Sequence, residues 1–339
     1  MGSILSTEQM QSALQAVLNP IAKAQGLPNA CYTSEEYFEQ EKKVLFRDSW
    51  ACLGVAKDVP NLGDYKPYDY VGIPLLMLRD EDGVVKVFHN ICSHRGMILV
   101  EEAGNSKGVL RCPYHSWCYA LSGELKMTPH VGGPGHNKHE EFDRKAHGLK
   151  EVSSQVWMGM VFVNVSGTAQ PFSSYIGKLE KRWAEFMQAP LLHGENTSFK
   201  LEINTNWKLA VENYCEAYHL PWIHPGLNSY SRLEDHYNIE DEDLAGQGSY
   251  VYKPILSSDG RALPKLPNLS KQWLESAEYI ALFPNVLLGV CYDHFFTIVL
   301  EPKGPSTTVE HVELFYYDET AVGADYAEHR QKNFDGWKE

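Results

Sequence analysis

Two Cys–His pairs constrain this chain more than any other feature of its sequence. One residue separates Cys92 from His94, two separate Cys112 from His115, and 17 lie between His94 and Cys112. Each pair supplies one thiolate and one imidazole from a single short segment, and strand-like runs lead into both segments. The pattern therefore predicts two facing loops that hold metal at one tip of a small β domain.

This donor set matches a Rieske [2Fe–2S] centre, in which two His replace two Cys on one iron. Neutral imidazoles make such a cluster less negative than four thiolates would, so it accepts an electron at a higher potential. Zinc is the rival, because Cys and His bind zinc as well. Zinc sites usually pair like residues, as in C-x2-C or H-x3-H, whereas both pairs here are mixed. The pattern favours the Rieske centre.

The pattern of apolar residues predicts three regions. Residues 1–44 form a helical segment that packs on the last domain, with a capping box at 33–36 that opens a helix. Residues 45–165 form a small all-β domain, with a hairpin over 71–88 and another strand at 156–165. Residues 166–339 form an α+β domain, in which a curved antiparallel sheet surrounds a long helix and encloses a pocket. The sheet strands are predicted at 199–203, 278–283, 286–290, 295–301 and 309–317, and the long helix at 206–220.

Charge and cysteine content exclude some classes of partner. The 339 residues carry a net charge of −14, which argues against nucleic acid or an anionic membrane as partner. No stretch has the apolar length of a membrane span, and the N-terminus lacks the pattern of a signal peptide. The cysteines outside the two pairs show no disulfide framework, which favours a reducing cytoplasm.

A second group of potential metal ligands follows within the predicted long helix. Glu216 and His219 are three residues apart and would share one helix face. His224 lies five residues further on, and Pro221 disfavours helix at Leu220, which would let the bent segment bring His224 back toward His219. Two His and one carboxylate form the facial triad of non-haem Fe(II) oxygenases, with open positions for O2 and substrate.

Both groups resemble the Rieske non-haem iron oxygenases, in their oxygenase (alpha) subunit. Asn-Ile-Cys-Ser-His-Arg-Gly at 90–96 and Cys-Pro-Tyr-His-Ser-Trp at 112–117 look like the cluster loops of that family, which often has Gly where this chain has Ser116. The resemblance implies that four residues hold the [2Fe–2S] cluster and that Arg95 and Trp117 shield it. These cluster ligands are Cys92, His94, Cys112 and His115.

The order acid-x2-His-x4-His resembles the mononuclear-iron motif of the same family. The resemblance implies that His219 and His224 bind Fe(II) and that Glu216 passes electrons from a neighbouring subunit's cluster to an iron-bound His. Glu216 and Asn213 are the catalytic candidates. The family's third iron ligand is an Asp on a late helix, and Asp335 is the nearest match. Either the chain ends before that ligand or the site is completed differently.

The resemblance implies a terminal oxygenase. A flavin or iron–sulfur reductase would deliver electrons from NAD(P)H, and O2 would be used to hydroxylate a small substrate. A head-to-tail homotrimer would bring each cluster to its neighbour's iron. Glu216, where many members have Asp, resembles the quaternary-ammonium type, acting on choline, glycine betaine or carnitine by N-demethylation or hydroxylation. The alternative is the alpha subunit of an aromatic ring-hydroxylating dioxygenase.

Aromatic side chains are expected to line the substrate pocket, because a ring face attracts a quaternary ammonium and equally accepts a flat aromatic substrate. The candidates are Tyr214, Trp222, Tyr230, Tyr250, Tyr252, Phe283, Tyr292, Phe295 and Phe296.

Two other readings remain open from the residues alone. An electron carrier of ferredoxin type would need only the β domain, and a zinc-bound interaction protein would be colourless. Three histidines in the Gly- and Pro-rich stretch after residue 129, namely His130, His136 and His139, show no ligand spacing and are expected to be solvated.

Overall fold

The computed structural model describes residues 7–228, 231–241 and 244–336. Contacts divide the chain into two units, one formed by Leu45–Tyr175 and the other by Met1–Val44 together with Ile176–Glu339. Within the described ranges, no helix combines the length and the apolar character needed to cross a bilayer.

The unit Leu45–Tyr175 is built from ten strands in two antiparallel sheets. The seven-stranded sheet has the order β1-β10-β9-β4-β3-β2-β5, and the three-stranded sheet the order β6-β7-β8. The strands are β1 (Ala51–Val55), β2 (Asp64–Tyr70), β3 (Ile73–Arg79), β4 (Val85–His89), β5 (Gly104–Asn105), β6 (Val109–Arg111), β7 (Cys118–Ala120), β8 (Leu125–Met127), β9 (Glu151–Trp157) and β10 (Met160–Asn164). Side chains from both sheets share one apolar core, which also buries Cys92 and Cys112.

The single strand predicted at 156–165 is wrong. The segment is the end of β9, a two-residue turn and β10, with Trp157 paired to Met160. Met158 and Gly159 in the turn have φ values of +45° and +75°. A tight hairpin turn of this kind needs positive φ at both central residues, and Gly159 accepts that freely. The unbroken apolar run around the turn hid it in the sequence.

The other unit contains one seven-stranded antiparallel sheet of order β11-β17-β16-β15-β14-β13-β12. Its strands are β11 (Ser198–Ile203), β12 (His236–Asp241), β13 (Leu244–Ser249), β14 (Ala277–Leu282), β15 (Val286–Val290), β16 (His294–Gly304) and β17 (Thr307–Tyr316). Five of these strands agree with the sequence-based prediction, whereas β12 and β13 were not predicted. The predicted class, a small all-β domain plus an α+β domain with an antiparallel sheet, agrees with these elements.

The α-helices in the described ranges are mostly short. They are α1 (Thr7–Val17), α2 (Ala30–Thr33), α3 (Glu35–Glu41), α4 (Phe172–Arg182), α5 (Trp207–Tyr214), α6 (Leu220–Ile223), α7 (Pro225–Asn228), α8 (Lys271–Glu275) and α9 (Ala327–Gly336). Ser34 caps α3 by accepting a hydrogen bond from the backbone N–H of Tyr37. Helix α5 contacts β14 and β16, so it lies against the sheet.

Helix α5 is shorter than predicted. The Asn206 side chain caps its start by accepting a 3.0 Å hydrogen bond from Lys208 N, but the helix ends at Tyr214 rather than near residue 220. Gln247 of β13 donates from Nε2 to the carbonyls of Tyr214 and Glu216, at 3.0 Å each. These bonds satisfy carbonyls that a helix end leaves free, so the sheet stabilises the end of α5.

The predicted role of Pro221 also needs correction. It does not end a long helix but lies in the first turn of the separate helix α6. Proline is tolerated there because the first-turn N–H groups have no partner inside a helix. Glu216 therefore lies in the non-helical link between α5 and α6, not on a shared helix face with His219.

Candidate metal centres

The two Cys–His loops have the same backbone geometry. In each loop the Cys N–H donates to the carbonyl five residues on, and the N–H four residues on donates back to the Cys carbonyl, at 2.8 to 3.0 Å. That fourth residue is Gly96 in the loop of Cys92 and Ser116 in the loop of Cys112, with φ values of +73° and +59°. Left-handed backbone favours Gly, so Ser116 occupies a glycine-type position. Its Oγ accepts a 2.9 Å hydrogen bond from Arg111 Nη2.

The structure brings the four predicted cluster ligands together. Cys92 and Cys112 are each 2 % exposed, and the ring centroids of His94 and His115 lie 4.7 Å apart. In the described part of the chain, His115 Nδ1 is buried without a hydrogen-bond partner. A buried polar atom of this kind normally has a partner, and a metal ion would provide it. Two thiols, two imidazoles and an orphaned ring nitrogen fit a Rieske cluster.

Burial and hydrogen bonding determine the protonation of this group. Burial raises the pKa of the Cys92 thiol, and the Tyr119 hydroxyl, 3.1 Å from Cys92 Sγ, partly opposes that shift. Burial also lowers the pKa of His94, and the neighbouring His115 and Arg95 side chains lower it further. Neutral imidazole is the form that binds metal, so this shift favours the ligating form of His94.

The predicted shielding residues differ in position. Trp117 is 5 % exposed and stacks on the His94 ring at 4.6 Å between centroids. Arg95 is exposed.

The loop histidines make local contacts: His130 Nδ1 accepts from Gly135 N at 2.8 Å, and His139 Nδ1 accepts from Glu141 N at 3.3 Å. These bonds hold the turns of an exposed loop.

The second predicted group is centred on one carboxylate. Glu216 Oε1 lies 2.6 Å from His219 Nδ1, and Glu216 Oε2 accepts from His219 N at 3.2 Å. This contact fixes the ring and places the Nδ1 proton toward the carboxylate, which leaves Nε2 free for a metal. The rings of His219 and His224 lie 5.4 Å apart between centroids, at an interplanar angle of 76°. Two neighbouring imidazoles, one of them oriented by a carboxylate, fit a mononuclear iron site.

The remaining site candidates lie away from these contacts. Asn213 is exposed near the end of α5. Asp335 is exposed on α9, where it accepts a 2.8 Å hydrogen bond from Gln331 Nε2. The structure therefore joins Asp335 to its own helix rather than to a histidine of the second group.

The aromatic candidates do not form one lining. Phe295 and Phe296 follow each other along β16, so their side chains point to opposite faces of the sheet. Trp222 and Tyr250 are exposed by about two thirds, at 66 % and 65 %. Tyr230 lies outside the described residues.

Sequence reasoning missed a buried group at the turn between β15 and β16. Cys291, Asp293 and His294 each offer a donor atom within 4.8 Å of the others. The only signal in the sequence was three ligand-type residues within four positions, and spacing of that kind does not reveal which side chains are buried.

Comparison with known proteins agrees with this geometry. Residues 49–141 match the Rieske [2Fe-2S] domain, and residues 192–339 match the ring hydroxylating alpha subunit (catalytic domain). The chain is 30 % identical over 300 residues to the carnitine monooxygenase oxygenase subunit of Escherichia coli (strain K12). That alignment covers 86 % of this chain and 75 % of the relative.

Two solved structures share the fold. One is a quaternary ammonium Rieske monooxygenase whose structure was related to carnitine oxidation by gut microbiota and to inter-subunit electron transfer. It matches at a TM-score of 0.70 and 23 % identity, over 91 % of this chain and 79 % of that chain. Naphthalene 1,2-dioxygenase from Rhodococcus sp. matches at 0.74 and 20 % identity, over 98 % and 81 %. With both domain matches and a relative at 30 % identity, the chain belongs to the Rieske non-haem iron oxygenases, as an oxygenase (alpha) subunit.

Proposed function

We propose that this chain is the terminal oxygenase component that hydroxylates a quaternary ammonium compound. Hydroxylation of an N-methyl carbon would give a carbinolamine, which loses formaldehyde and leaves the demethylated amine. The observation that carries the proposal is the 2.6 Å contact between Glu216 and His219, because it places a carboxylate directly on a candidate iron ligand. The substrate class is supported by the carnitine monooxygenase oxygenase subunit at 30 % identity.

Two separate groups of side chains would hold the two metal centres. Cys92, His94, Cys112 and His115 would hold a [2Fe–2S] cluster. His219 and His224 would hold Fe(II). When bound, the cluster stores single electrons and the iron activates O2. Glu216 holds the proton on His219 Nδ1, keeps the ring in one orientation and leaves Nε2 as the donor.

Electrons would come from NAD(P)H through a separate flavin or iron–sulfur reductase, and a homotrimer would pass them between copies of the chain. An exposed apolar patch beside Glu216 supports an interface at this position. The patch consists of Tyr218, Trp222 and Ile223, which are 72 %, 66 % and 66 % exposed. Exposed patches of this type mark association sites in soluble proteins. A cytoplasmic location is supported by seven free cysteines.

The test is oxygen consumption by the purified protein with a compatible reductase. Carnitine, glycine betaine, choline and stachydrine are compared with simple aromatic acids, and formaldehyde is measured alongside. We expect oxygen uptake coupled to formaldehyde with at least one quaternary amine. Coupled dihydroxylation of an aromatic acid alone would instead support the dioxygenase alternative.

The role of Glu216 is tested by Glu216→Gln. We expect both metals to remain bound while turnover falls about 10- to 100-fold, the range seen when the partner of a metal-bound His is lost. The matched control is Glu234→Gln, which changes an exposed carboxylate and should leave turnover unchanged. Undiminished turnover in Glu216→Gln would remove its proposed role.

A further inference from the structure

The turn between β15 and β16 buries three side chains that are chemically distinct metal donors. Cys291, Asp293 and His294 are 2 %, 1 % and 4 % exposed, and one donor atom from each lies within 4.8 Å of the other two. None of the three belongs to the cluster loops or to the segment that carries Glu216. The group therefore needs its own explanation.

The hairpin itself brings Cys291 and His294 together. Val290 pairs with Phe295, and Cys291 N donates to His294 O at 3.0 Å, so the loop contains only Tyr292 and Asp293. Residues that face each other at the end of a hairpin project to the same side of the sheet. The thiol and the imidazole are consequently on one face, with the carboxylate of the loop beside them.

The carboxylate of Asp293 is only half satisfied. Its Oδ1 accepts from the Tyr252 hydroxyl at 2.9 Å and lies 2.9 Å from His294 Nδ1. Its Oδ2 is buried and has no hydrogen-bond partner among the described residues. A buried carboxylate oxygen is unfavourable unless a cation or a proton neutralises it.

The spacing of the donor atoms decides which cation fits. Asp293 Oδ2 is closed to bulk solvent, so a small ion held by the neighbouring side chains is the kind of partner that it lacks. Three donors 4.8 Å apart at most lie about 2.8 Å or less from a common centre. Zinc–ligand distances are about 2.0–2.3 Å, so sub-ångström movements would close the site on an ion.

Two tyrosines surround the donor atoms. The side chains of Tyr252 and Tyr279 are in hydrogen-bonding contact with Cys291, and the Tyr252 hydroxyl donates to Asp293 Oδ1 at 2.9 Å. Metal binding would replace the thiol proton, and the tyrosine hydroxyls would then donate to the bound thiolate and carboxylate.

We propose that Cys291, Asp293 and His294 bind a divalent ion of the zinc class, which stabilises the turn between β15 and β16. A thiolate with an imidazole and one carboxylate suits zinc and disfavours magnesium or calcium, which prefer oxygen ligands only. The proposal is independent of the catalytic function, because it assigns no step of the reaction to this ion.

The experiment measures zinc in the full-length protein. A His219→Ala/His224→Ala background removes zinc that could occupy the proposed iron site. The protein is exposed to Zn2+ and dialysed against zinc-free buffer. Its zinc content per chain is then measured by elemental mass spectrometry. We expect about one retained zinc per chain, which is lost on addition of Cys291→Ser and kept with Tyr292→Phe, a change in the same turn that alters no donor. Equal zinc content with and without Cys291→Ser would overturn the proposal.

Asp293→Asn provides a second test if Cys291→Ser does not fold. A protonated, metal-free Asp293 would tolerate this isosteric change, and zinc would not alter the melting temperature of either protein. Our proposal expects zinc to raise the melting temperature of the background protein and not that of the Asp293→Asn variant, because only a ligand that binds the native state stabilises it. An equal response of both proteins would contradict it.

Discussion

At the scale of single residues, one tyrosine hydroxyl organises the first cluster loop. Tyr119 is fully buried, and its hydroxyl lies 3.1 Å from Cys92 Sγ. The same oxygen accepts from Ser93 N at 3.2 Å and lies 3.0 Å from Ser93 Oγ. A hydroxyl that donates to a ligand sulfur stabilises the more negative, reduced cluster, so Tyr119 should contribute to the reduction potential.

Tyr119→Phe should lower the reduction potential of the cluster and leave its visible spectrum present. Loss of one hydrogen bond of about 1 kcal/mol corresponds to about 40 mV for one electron. A redox titration followed by absorbance measures the shift. Tyr68→Phe is the control, because its hydroxyl donates to Asp58 and not to a cluster ligand. An unchanged potential in Tyr119→Phe would show that this hydroxyl does not act on the cluster.

A second residue-scale prediction concerns the pH dependence of stability. Burial alone would raise the pKa of Glu301, but hydrogen bonds from His311 and Lys303 lower it to about 2. The His311 Nε2 to Glu301 Oε2 distance is 2.8 Å. Because the folded pKa lies below the unfolded value, this stabilisation is present above about pH 4.5 and is lost as the pH falls toward about 2.

Glu301→Gln should therefore reduce the free energy of unfolding near pH 6 by about 1–2 kcal/mol, a modest value because the pair is partly exposed. Urea unfolding at several pH values measures the difference, which should shrink between about pH 5 and pH 2. Glu140→Gln, at an exposed position, is the control. Its difference in the free energy of unfolding from the parent protein should not change over this pH range. A difference for Glu301→Gln that stays constant with pH would refute the linkage.

At the scale of elements, helix α5 is anchored by a buried ion pair. Lys208 and Glu41 are 8 % and 6 % exposed, with 2.6 Å between Nζ and Oε1. Trp207 Nε1 donates to Glu41 Oε2 at 3.3 Å, and the Lys208 ammonium lies within 6 Å of the Trp207, Tyr32 and Tyr37 rings, at 4.9, 5.7 and 5.8 Å. The pair joins the end of α3 to the first turn of α5, the helix that leads to Glu216.

Lys208→Ala should destabilise the protein by about 3–5 kcal/mol, because it leaves the Glu41 carboxylate buried without its cation. The double variant Lys208→Met/Glu41→Gln removes both charges and should lose much less. Urea unfolding compares the two. Equal losses would mean that burial of an unpaired charge is not the cause.

At the scale of the whole molecule, the apolar patch formed by Tyr218, Trp222 and Ile223 predicts association between copies. The Tyr218 and Trp222 rings are 5.4 Å apart between centroids, so they form one continuous exposed surface. Adjacent exposed aromatic rings are enriched in the cores of interfaces.

Trp222→Ser should shift the proposed homotrimer toward monomer and lower turnover, while the cluster spectrum is retained. Light scattering after size-exclusion chromatography measures the mass. Leu18→Ser changes a side chain that is 77 % exposed in a different part of the chain and should leave the mass unaltered. If Trp222→Ser left the oligomeric mass unchanged, this patch would not be the subunit interface.

The two Cys–His loops, the hairpin of β3 and β4 and five strands of the sheet β11–β17 could be predicted from the sequence because their information is local. The spacing within Cys92–His94 and Cys112–His115 specifies which donor side chains each tight loop presents. Alternating apolar residues mark the flanking strands. Among the five predicted strands of the sheet β11–β17, β15 is a continuous apolar run, whereas β11 alternates apolar with polar residues. Such sequence patterns are enough to predict that a strand forms. The neighbouring strands decide only the register in which it pairs.

Strands β12 and β13 could not be predicted because contacts across the sheet, rather than propensity, form them. Gly246 of β13 lies so close to the Tyr279 carbonyl that a Cβ would come within 2.2 Å of that oxygen, and Gly248 lies equally close to the Tyr237 ring. Glycine is unfavourable in a strand except where another group approaches closely, and the sequence does not show that approach.

The sequence by itself determined the donor sets, because the Cys, His and Glu residues and their spacing can be read directly from it. Only the tertiary structure decided how those donors meet. Gln247, distant in sequence, stabilises the end of α5, and the link after it lets Glu216 contact His219 through a turn. Burial likewise decided that one oxygen of Asp293 has no hydrogen-bond partner among the described residues. Solvent exclusion and long-range hydrogen bonds arise from packing, which residue spacing does not encode.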